Sequence, residues 1–256
     1  AAAFLQGRVA SPPRLPRALV TTGLGTSEGH ARHLAEVAAR WCAQPARFAS
    51  TASRRAGAPP GSEHDWLVVF SQGLSANARY ALGAIESWAG VILITGLSPE
   101  ATPEEGLTAE KRAWLTELVE RGVVLVDMGC GCEYGALIRV IGARVGYAVA
   151  WSFLRTLAAR RLDEDARLVC EASTLLQLQS DASEAAKEAV FERGRLTPPE
   201  TDDPDADLAD FFAPEKNLVL VGEGGDMELA QHIALKISEG MLRPLPACLD
   251  VLEFAH

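Results

Sequence analysis

The sequence is short of basic residues, and this shortage excludes one class of partner. Its 256 residues include 24 Lys and Arg against 34 Asp and Glu, which gives a formal net charge of −10. Proteins that bind nucleic acids neutralise the phosphate backbone with clustered Lys and Arg side chains. A nucleic-acid partner is therefore not expected.

Long apolar runs are also missing. The longest, such as residues 145–154, fall well short of the roughly 20 residues that a membrane-spanning helix requires. We therefore expect no insertion into a membrane. The composition, with 48% hydrophobic residues and 22 glycines, is typical of a globular protein with a sizeable core.

Cysteine is scarce: the chain has five, at positions 42, 130, 132, 170 and 248. An odd number, scattered over a chain of this size, is not the disulfide framework of a small secreted protein, and residues 1–6 do not resemble a signal peptide. We expect reduced cysteines and a cytoplasmic protein. Cys130 and Cys132 have no second ligand pair at zinc-finger spacing, so neither a metal nor another cofactor is expected.

Short apolar runs alternate with segments of helical periodicity over the first half of the chain. The predicted strands are residues 17–21, 66–70, 91–95 and 123–127, and the predicted helices are residues 27–43, 76–88 and 109–121. Apolar strands that alternate with helices indicate parallel crossovers. The sequence thus predicts an α/β fold with a doubly wound parallel sheet.

After residue 133 the pattern changes to a helical bridge without strands. Residues 196–212 are rich in Pro and Asp, which indicates a linker. A strand, a glycine turn and a helix then follow at 217–241 and repeat the pattern of residues 17–43. The predicted organisation is a first domain over 1–160, a helical bridge and linker over 161–213, and the start of a second domain over 214–256.

The second unit is predicted to be incomplete, because one strand and one helix cannot cover each other's apolar faces. Either the sequence belongs to a longer chain or a neighbour completes this unit. The apolar residues of the bridge between Ile138 and Leu157 are expected to expose further apolar surface, which association would cover. We expect a homodimer.

Two polar loops follow predicted strands at the carboxyl edge of the sheet. The first contains Gly25, Thr26 and Ser27, and the second contains Ser71, Gln72 and Gly73. Free N–H groups, a helix N-terminus and hydroxyl groups converge in such loops, which favours an anion such as phosphate. An ordinary helix cap with a tight glycine bend remains the alternative interpretation.

Several further polar residues lie close to these loops or to helix ends. Ser75 and Asn77 are candidate donors to a ligand, although Ser75 also suits a helix N-cap. Glu133, at a strand-to-helix junction, is predicted either to cap the helix or to face a ligand. His30 and His33 share a helix face without a carboxylate partner, so we expect them to be exposed.

Four segments, taken in order, resemble the motifs of the sugar isomerase (SIS) domain family, in particular the isomerase part of glutamine:fructose-6-phosphate aminotransferase. The family's GTS, SQSGET, Glu-Ile-Gly and GRG–ALKLKE–HGP motifs look like residues 25–27, 71–76, 133–135, and 222–224 with 234–239 and His256. The resemblance extends over residues 17–256. It implies a flavodoxin-like doubly wound sheet followed by a second, incomplete unit of the same type.

The resemblance also implies an activity on a sugar phosphate, either aldose–ketose isomerisation or a related deglycase or aminotransferase-type isomerisation. Ser27, Ser71 and Gln72 would then bind the phosphate. Glu239 would move a proton between C1 and C2 of the open-chain sugar, Lys236 would support it, and His256 would help to open the ring. Without the resemblance, Lys236 and Glu239 indicate only a surface ion pair at i, i+3.

The sequence departs from the family motifs at several positions. Gly73 and Ala76 stand where the family has Ser and Thr, and Asn77 can replace one of these donors. His232 stands where the second helix of the family has Glu. These departures favour, as one alternative, a sugar-phosphate sensor without catalysis.

A serine hydrolase is the other alternative. Residues 25–29 also match G-x-S-x-G, the nucleophile motif of α/β-hydrolases, with Ser27 as the nucleophile. The motif normally follows several strands, whereas here it follows the first predicted strand. Its histidine partner would have to be His64, His232 or His256.

Overall fold

The computed structural model describes residues 16–51, 62–98, 100–130, 141–161, 181, 217–223, 226–242 and 244–251. The contacts divide the chain into two compact units, residues 1–170 and residues 171–256. Each unit is described by itself. Within the described ranges, no helix is both long enough and apolar enough to span a bilayer.

The first unit contains a parallel five-stranded sheet with helices on both faces. Its strands are β1 (Leu19–Thr22), β2 (Ala46–Phe48), β3 (Trp66–Phe70), β4 (Gly90–Thr95) and β5 (Val124–Asp127). Its helices are α1 (Thr26–Trp41), α2 (Ala76–Ala81), α3 (Ala109–Glu120) and α4 (Ile141–Arg161), with single 3₁₀ turns at Ile85–Ser87 and Pro103–Glu105.

The strand order is β2-β1-β3-β4-β5, and every neighbouring pair is parallel. The chain therefore changes direction across the sheet between β1 and β3, which are adjacent. In sheets of this order, the crevice at the carboxyl ends of those two strands is where ligands bind. The predicted doubly wound α/β fold is confirmed.

Each face of the sheet has its own apolar core. One core is formed by α1 and α4 against alternate strand residues such as Leu19, Val68 and Ile94. The other is formed by α2 and α3 against the intervening residues, such as Val20 and Leu67. All five residues of β3 are buried, because helices cover both faces of the sheet. A strand in this position is therefore a continuous apolar run.

Three sequence predictions on the elements were wrong. The helix expected over 76–88 ends at Ala81, because Gly83 favours a break and the chain continues in a separate 3₁₀ turn. The short strands β2 and β7 (Ala247–Asp250) were missed, because three or four residues carry too little periodicity to indicate a strand.

Helix α4 also differs from its prediction. Its apolar residues pack against the sheet and against α1 within the first unit: Val149, Phe153, Leu154 and Leu157 are all buried. The apolar surface expected on the bridge is therefore not exposed over the described part of this helix. The rest of the bridge and the linker lie outside the described residues.

The second unit consists of β6 (Val219–Gly222), α5 (Asp226–Met241) and β7, with β6 parallel to β7. This strand–helix–strand order is the same as that of β1, α1 and β2. The two units differ in the burial of their first strands. All of β1 is buried, whereas Val219 and Val221 of β6 are exposed.

Candidate functional site

The first candidate loop connects β1 to α1, and its glycines determine its shape. Gly25 has φ of +60°, a conformation that glycine adopts without strain. Gly23 lies so close to the helix that a Cβ there would overlap the carbonyl of Ser27. The helix begins at Thr26, so the buried side chain of Ser27 lies in its first turn.

The carbonyl groups of this loop are occupied by donors of the protein. Those of Leu24 and Gly25 accept from the backbone N–H groups of Ser27 (3.2 Å) and Glu28 (2.9 Å). Among the described residues, the N–H groups of Gly25 and Thr26 have no acceptor, and the Ser27 hydroxyl has none either. The loop therefore presents donors rather than acceptors.

A threonine behind the loop occupies the remaining carbonyl. The Thr51 hydroxyl donates to the carbonyl of Gly23 at 3.2 Å and lies 3.3 Å from the Thr22 hydroxyl. Thr22 and Thr51 are both buried. No sequence pattern identifies Thr51 as part of the site, because it follows β2 and is brought to the loop only by the fold.

The second candidate loop follows β3 and shows the same arrangement. The Ser71 side chain is buried, and its N–H donates to the carbonyl of Ile94 (2.9 Å). The Gln72 carbonyl accepts from the Gly96 N–H (3.0 Å) and from the Thr95 hydroxyl (3.3 Å). Within the described part of the chain, the Ser71 hydroxyl has no acceptor.

A lysine that no sequence motif indicates occupies the last carbonyl of the second loop. The ammonium of Lys111, in the first turn of α3, donates to the carbonyl of Gly73 at 2.8 Å and to that of Gly106 at 3.2 Å. The next residue, Leu74, has φ of +50°, which is unusual for a non-glycine residue. Its backbone N–H donates to the Ser71 carbonyl at 3.4 Å.

The Gln72 side chain packs against the first described turn of α4. A Cβ on Gly142 would overlap the Gln72 amide group, so only glycine leaves space for it there. The backbone of Gln72 also crowds Gly96, the residue that follows β4. Gln72 therefore links the second loop to α4 and to the end of β4.

The other predicted binding residues are less well placed or lie outside the described residues. Ser75 is the N-cap residue of α2, but its side chain makes no capping hydrogen bond. Ser75 and Asn77 are both exposed. Glu133 and His256 lie outside the described residues, and their roles stay predictions.

The expected exposure of His30 was wrong. Its side chain is 1% exposed and packs against Phe70 and Tyr147, with ring centroids 5.7 Å and 4.8 Å away. A Cβ on Gly146 of α4 would overlap the His30 ring. The absence of a side chain at Gly146 allows α4 to approach this ring. The local sequence around His30 cannot indicate such a contact, because it joins distant segments of the chain.

His33 is also covered rather than exposed. Its ring forms edge contacts with Tyr147 (4.9 Å between centroids) and Trp151 (6.1 Å). Its Nε2 atom is buried and has no hydrogen-bond partner among the described residues. Burial lowers the pKa of His33 to about 4, so the imidazole is neutral near pH 7.

The predicted catalytic residues of the second unit lie on one face of α5. The Lys236 ammonium is 2.8 Å from the Glu239 carboxylate, and the Glu239 side chain is 44% exposed. His232, one turn before Lys236, is buried; desolvation and then the charge of Lys236 lower its pKa to about 4. This face therefore carries a neutral imidazole, an ammonium and an accessible carboxylate.

The arrangement of the first unit suits an anion and not a cation. Two loops flank the point where the sheet changes direction, their carbonyls are occupied, and the hydroxyls of Ser27 and Ser71 and several N–H groups remain as donors. Within the described ranges, no three His, Cys, Asp or Glu side chains come together as a metal site would require.

Comparison with known proteins identifies the fold. No protein-family model matches the chain, and no curated sequence does either. The structure is similar to the C-terminal domain of glucosamine-fructose-6-phosphate aminotransferase from Francisella tularensis, with a TM-score of 0.69 and 13% identity. That match covers 100% of this chain and 62% of the other.

Two further solved structures have the same fold. Tagatose-6-phosphate ketose/aldose isomerase from Escherichia coli matches with a TM-score of 0.59 and 16% identity, over 99% of this chain and 61% of the other. Glucosamine-6-phosphate deaminase from Thermotoga maritima matches with a TM-score of 0.61 and 15% identity, over 100% and 67%.

This chain thus spans less than two thirds of the length of the aminotransferase domain and of the isomerase. At these identities the similarity shows the fold. The chain has the α/β fold of these three solved structures, as the resemblance of its motifs predicts.

Proposed function

We propose that this chain binds a phosphorylated sugar at the crevice between β1 and β3. The main observation behind this proposal is that protein donors occupy the carbonyls of both loops, whereas the hydroxyls of the largely buried residues Ser27 and Ser71 have no partner among the described residues. A phosphate group accepts several hydrogen bonds and carries negative charge, so it matches two loops whose backbone carbonyls are occupied and whose hydroxyl and N–H groups are donors. Gly25, Thr26 and Gly73 would contribute backbone N–H groups.

The solved structures of the same fold support a sugar as the rest of the ligand. They are a glucosamine-fructose-6-phosphate aminotransferase, a tagatose-6-phosphate isomerase and a glucosamine-6-phosphate deaminase. All three names include a hexose 6-phosphate. We therefore propose a hexose phosphate as the ligand class.

Calorimetric titration with fructose 6-phosphate and glucose 6-phosphate tests this binding. Charge-assisted hydrogen bonds contribute about 1.5 to 3 kcal/mol each, so Ser71→Ala and Ser27→Ala should each weaken binding by roughly tenfold or more. Ser87→Ala is a matched control, because Ser87 precedes β4 at the opposite edge of the sheet, where its hydroxyl donates to Ala84 (2.8 Å). An absence of binding by the wild-type chain to any sugar phosphate would refute the proposal.

We also propose that the bound sugar phosphate undergoes isomerisation, with Glu239 as the base. The support is the resemblance of residues 234–239 to the family motif, together with the accessible Glu239 carboxylate held by Lys236. A carboxylate next to an ammonium suits proton transfer between C1 and C2, and such general bases contribute about 10² to 10⁴-fold. The role of His256 in ring opening remains part of this proposal.

Exchange of the C1 or C2 proton with deuterated water, followed by NMR, tests the catalytic step. Glu239→Gln keeps a hydrogen-bonding group beside Lys236 but removes the base, so exchange should disappear while binding persists. Exchange that continues in Glu239→Gln would exclude Glu239 as the base.

A sensor without catalysis is the second candidate. Gly73 and Ala76 lack the hydroxyls that the family motif has at these positions, and His232 stands where the motif has Glu. Binding of fructose 6-phosphate without any proton exchange in the wild-type protein would favour the sensor.

A serine hydrolase is less well supported by the geometry of Ser27. The nucleophile of such enzymes occupies a strained turn, whereas here the left-handed residue is Gly25 and Ser27 lies in the helix. The nearby His30 packs against Phe70 and Tyr147. Labelling of Ser27 by a fluorophosphonate would reverse this conclusion.

We further propose a cytoplasmic homodimer. The support for association is the exposed apolar surface of the second unit, which includes Val219, Val221 and Leu245. Light scattering should give twice the chain mass of 27.3 kDa. A stable species of the single-chain mass at micromolar concentration would contradict the dimer.

A further inference from the structure

The Gln72 side chain joins the second loop to the start of α4. Its backbone carbonyl is fixed at the end of β4, where it accepts from the Gly96 N–H (3.0 Å) and the Thr95 hydroxyl (3.3 Å). Its Cγ atom lies against Gly96, where an added Cβ would be only 3.3 Å from it. Its amide group lies against Gly142, where an added Cβ would overlap both the nitrogen and the carbonyl carbon of the amide. The side chain therefore runs from the end of β4 to the first described turn of α4.

The contacts between α1 and α4 show where this turn of α4 lies. The His30 ring of α1 lies against Gly146 of α4. His33, further along α1, contacts Trp151, further along α4, so the two helices run in the same direction. Gly142 precedes Gly146 by about one helical turn and therefore lies towards the beginning of α1, which follows the first loop. The contact with the second loop is thus at the carboxyl edge of the sheet, on the side where α1 begins.

Position 142 has room for a glycine only. Gly142 is buried, and the space that a side chain would occupy there holds the Gln72 amide. A side chain at this position would push the amide away, because a packed interior has no spare volume to receive it. Displacement of Gln72 would also shift its neighbours Ser71 and Gly73, which we propose as donors to the phosphate.

We infer that Gly142 is a positioning residue of the phosphate site. By leaving space for the Gln72 amide, it holds the second loop in the conformation that binds a phosphate group. Gly142 acts through Gln72 and needs no contact with the ligand. This inference rests on the proposed function, because it names a further residue of the same site.

Titrations with fructose 6-phosphate and with inorganic phosphate compare Gly142→Ala with the wild-type chain. The added methyl group should displace the Gln72 amide and, with it, the donors of the second loop. The loss of one charge-assisted hydrogen bond corresponds to about tenfold in affinity, so the binding of each ligand should weaken by at least that factor. The two ligands should be affected alike, because the second loop binds the phosphate group that they share.

Gly146→Ala is the matched control. It adds the same methyl group one turn later on the same face of α4, where the group meets the His30 ring instead of the second loop. This variant should lose stability. Its affinity for both ligands, measured where it is folded, should stay within about twofold of the wild type, since it shares no contact with Gln72.

A shorter amide side chain tests whether the effect passes through Gln72. Gln72→Asn withdraws the amide by one methylene group, so it should lose affinity by itself and leave space for a methyl group at position 142. Adding Gly142→Ala to Gln72→Asn should then change the affinity by no more than about twofold, whereas independent effects would add. Additive losses would overturn the role of Gly142.

Hydrogen exchange of the wild-type chain provides a test that needs no variant. Because α4 holds the second loop through Gln72, fructose 6-phosphate should slow exchange over residues 141–147 as well as over residues 71–74. Residues 155–161, at the other end of α4, should change less. Protection of the loop without protection of residues 141–147 would overturn the inference, even if Gly142→Ala does not fold.

The outcomes also separate this inference from the proposed function. A wild-type chain that binds neither fructose 6-phosphate nor inorganic phosphate overturns both. Binding that Ser71→Ala weakens and folded Gly142→Ala leaves unchanged overturns only the role of Gly142. Unfolding midpoints establish which variants are folded during the titrations.

Discussion

Gly146 of α4 lies against the ring of His30 in α1, so closely that any Cβ at position 146 would overlap this ring. Both residues are buried, and the ring is held further by Phe70 and Tyr147. Gly146 and Gly142 are four residues apart and lie on one face of α4. The His30 side chain packs against Gly146, and the Gln72 side chain packs against Gly142. The contact between α4 and the rest of the first unit therefore depends on two glycines.

We predict that Gly146→Ala destabilises the protein. In most helices this substitution stabilises by about 1 kcal/mol, because alanine has the higher helix propensity. Here the added methyl group meets the His30 ring, and overpacking of this kind costs roughly 1 to 3 kcal/mol. Urea unfolding of the wild type and of Gly146→Ala measures the difference.

Gly83→Ala is the control for this prediction. A Cβ at position 83 meets only the carbonyl oxygens of Arg79 and Tyr80, at 3.5 Å and 3.7 Å. Its free energy of unfolding should stay within about 0.5 kcal/mol of the wild type. Equal stabilities of Gly146→Ala and Gly83→Ala would show that α4 can move away from His30 without cost.

Most of the sheet could be predicted from the sequence because its strands are apolar throughout. Residues 66–70 and 91–95 were placed correctly to within one residue, since strands covered on both faces contain few polar residues. Strand β2 could not be predicted from three residues that include Arg47. Its formation depends on pairing with β1, which is a tertiary effect.

The candidate site was only partly predictable. Both donor loops could be located, because hydroxyl residues and glycines after an apolar strand mark the carboxyl edge of a parallel sheet. The residues that hold these loops, Thr51 and Lys111, could not be located, since their contacts with Gly23 and Gly73 join segments 28 and 38 residues apart. Helical spacing similarly gave no indication that His30 is buried.

The partly buried His33 predicts a pH dependence of stability. Its pKa is about 4 in the folded protein against the ordinary value of 6.5, because burial disfavours the charged imidazole. The unfolded state therefore binds the proton first as the pH falls. The contribution of His33 is constant above about pH 6.5 and decreases between pH 6.5 and pH 4, by up to roughly 3 kcal/mol.

The variant His33→Phe isolates this contribution. Phenylalanine keeps the ring contacts with Tyr147 and Trp151 but cannot be protonated, and it removes a buried nitrogen that has no partner among the described residues. The variant should be at least as stable as the wild type at pH 7 and more stable at pH 5. Parallel decreases of the two unfolding free energies between pH 6.5 and pH 4 would contradict the assignment to His33.

The positive φ of Leu74 leads us to predict that its glycine variant is more stable than its alanine variant, the reverse of the usual order. Its side chain is 3% exposed, and its φ is +50°. Leu74→Ala should lose about 2 to 5 kcal/mol, since it empties a core position and keeps the strained backbone. Leu74→Gly should be the more stable of the two by about 1 kcal/mol, because glycine adopts a positive φ without strain.

Leu82 provides the matched pair for this comparison. It is 2% exposed, belongs to the same core as Leu74 and has φ of −97°. At this position the usual order should hold, with Leu82→Gly less stable than Leu82→Ala. The same order at both positions, measured by chemical unfolding, would show that the backbone of Leu74 stores no strain.

The last prediction concerns Thr51, which supports the first loop from behind. Its hydroxyl donates to the carbonyl of Gly23 and lies beside that of Thr22. Thr51→Val has nearly the same shape but leaves this carbonyl without its donor, which costs about 1 to 3 kcal/mol in a buried site. The carbonyl would then be free to turn towards the crevice, so affinity for fructose 6-phosphate should fall as well. Thr51→Ser keeps the hydroxyl and should preserve the affinity. Unfolding in urea and titration with fructose 6-phosphate measure the two effects separately, and a Thr51→Val variant with wild-type stability and affinity would show that the Gly23 carbonyl needs no donor.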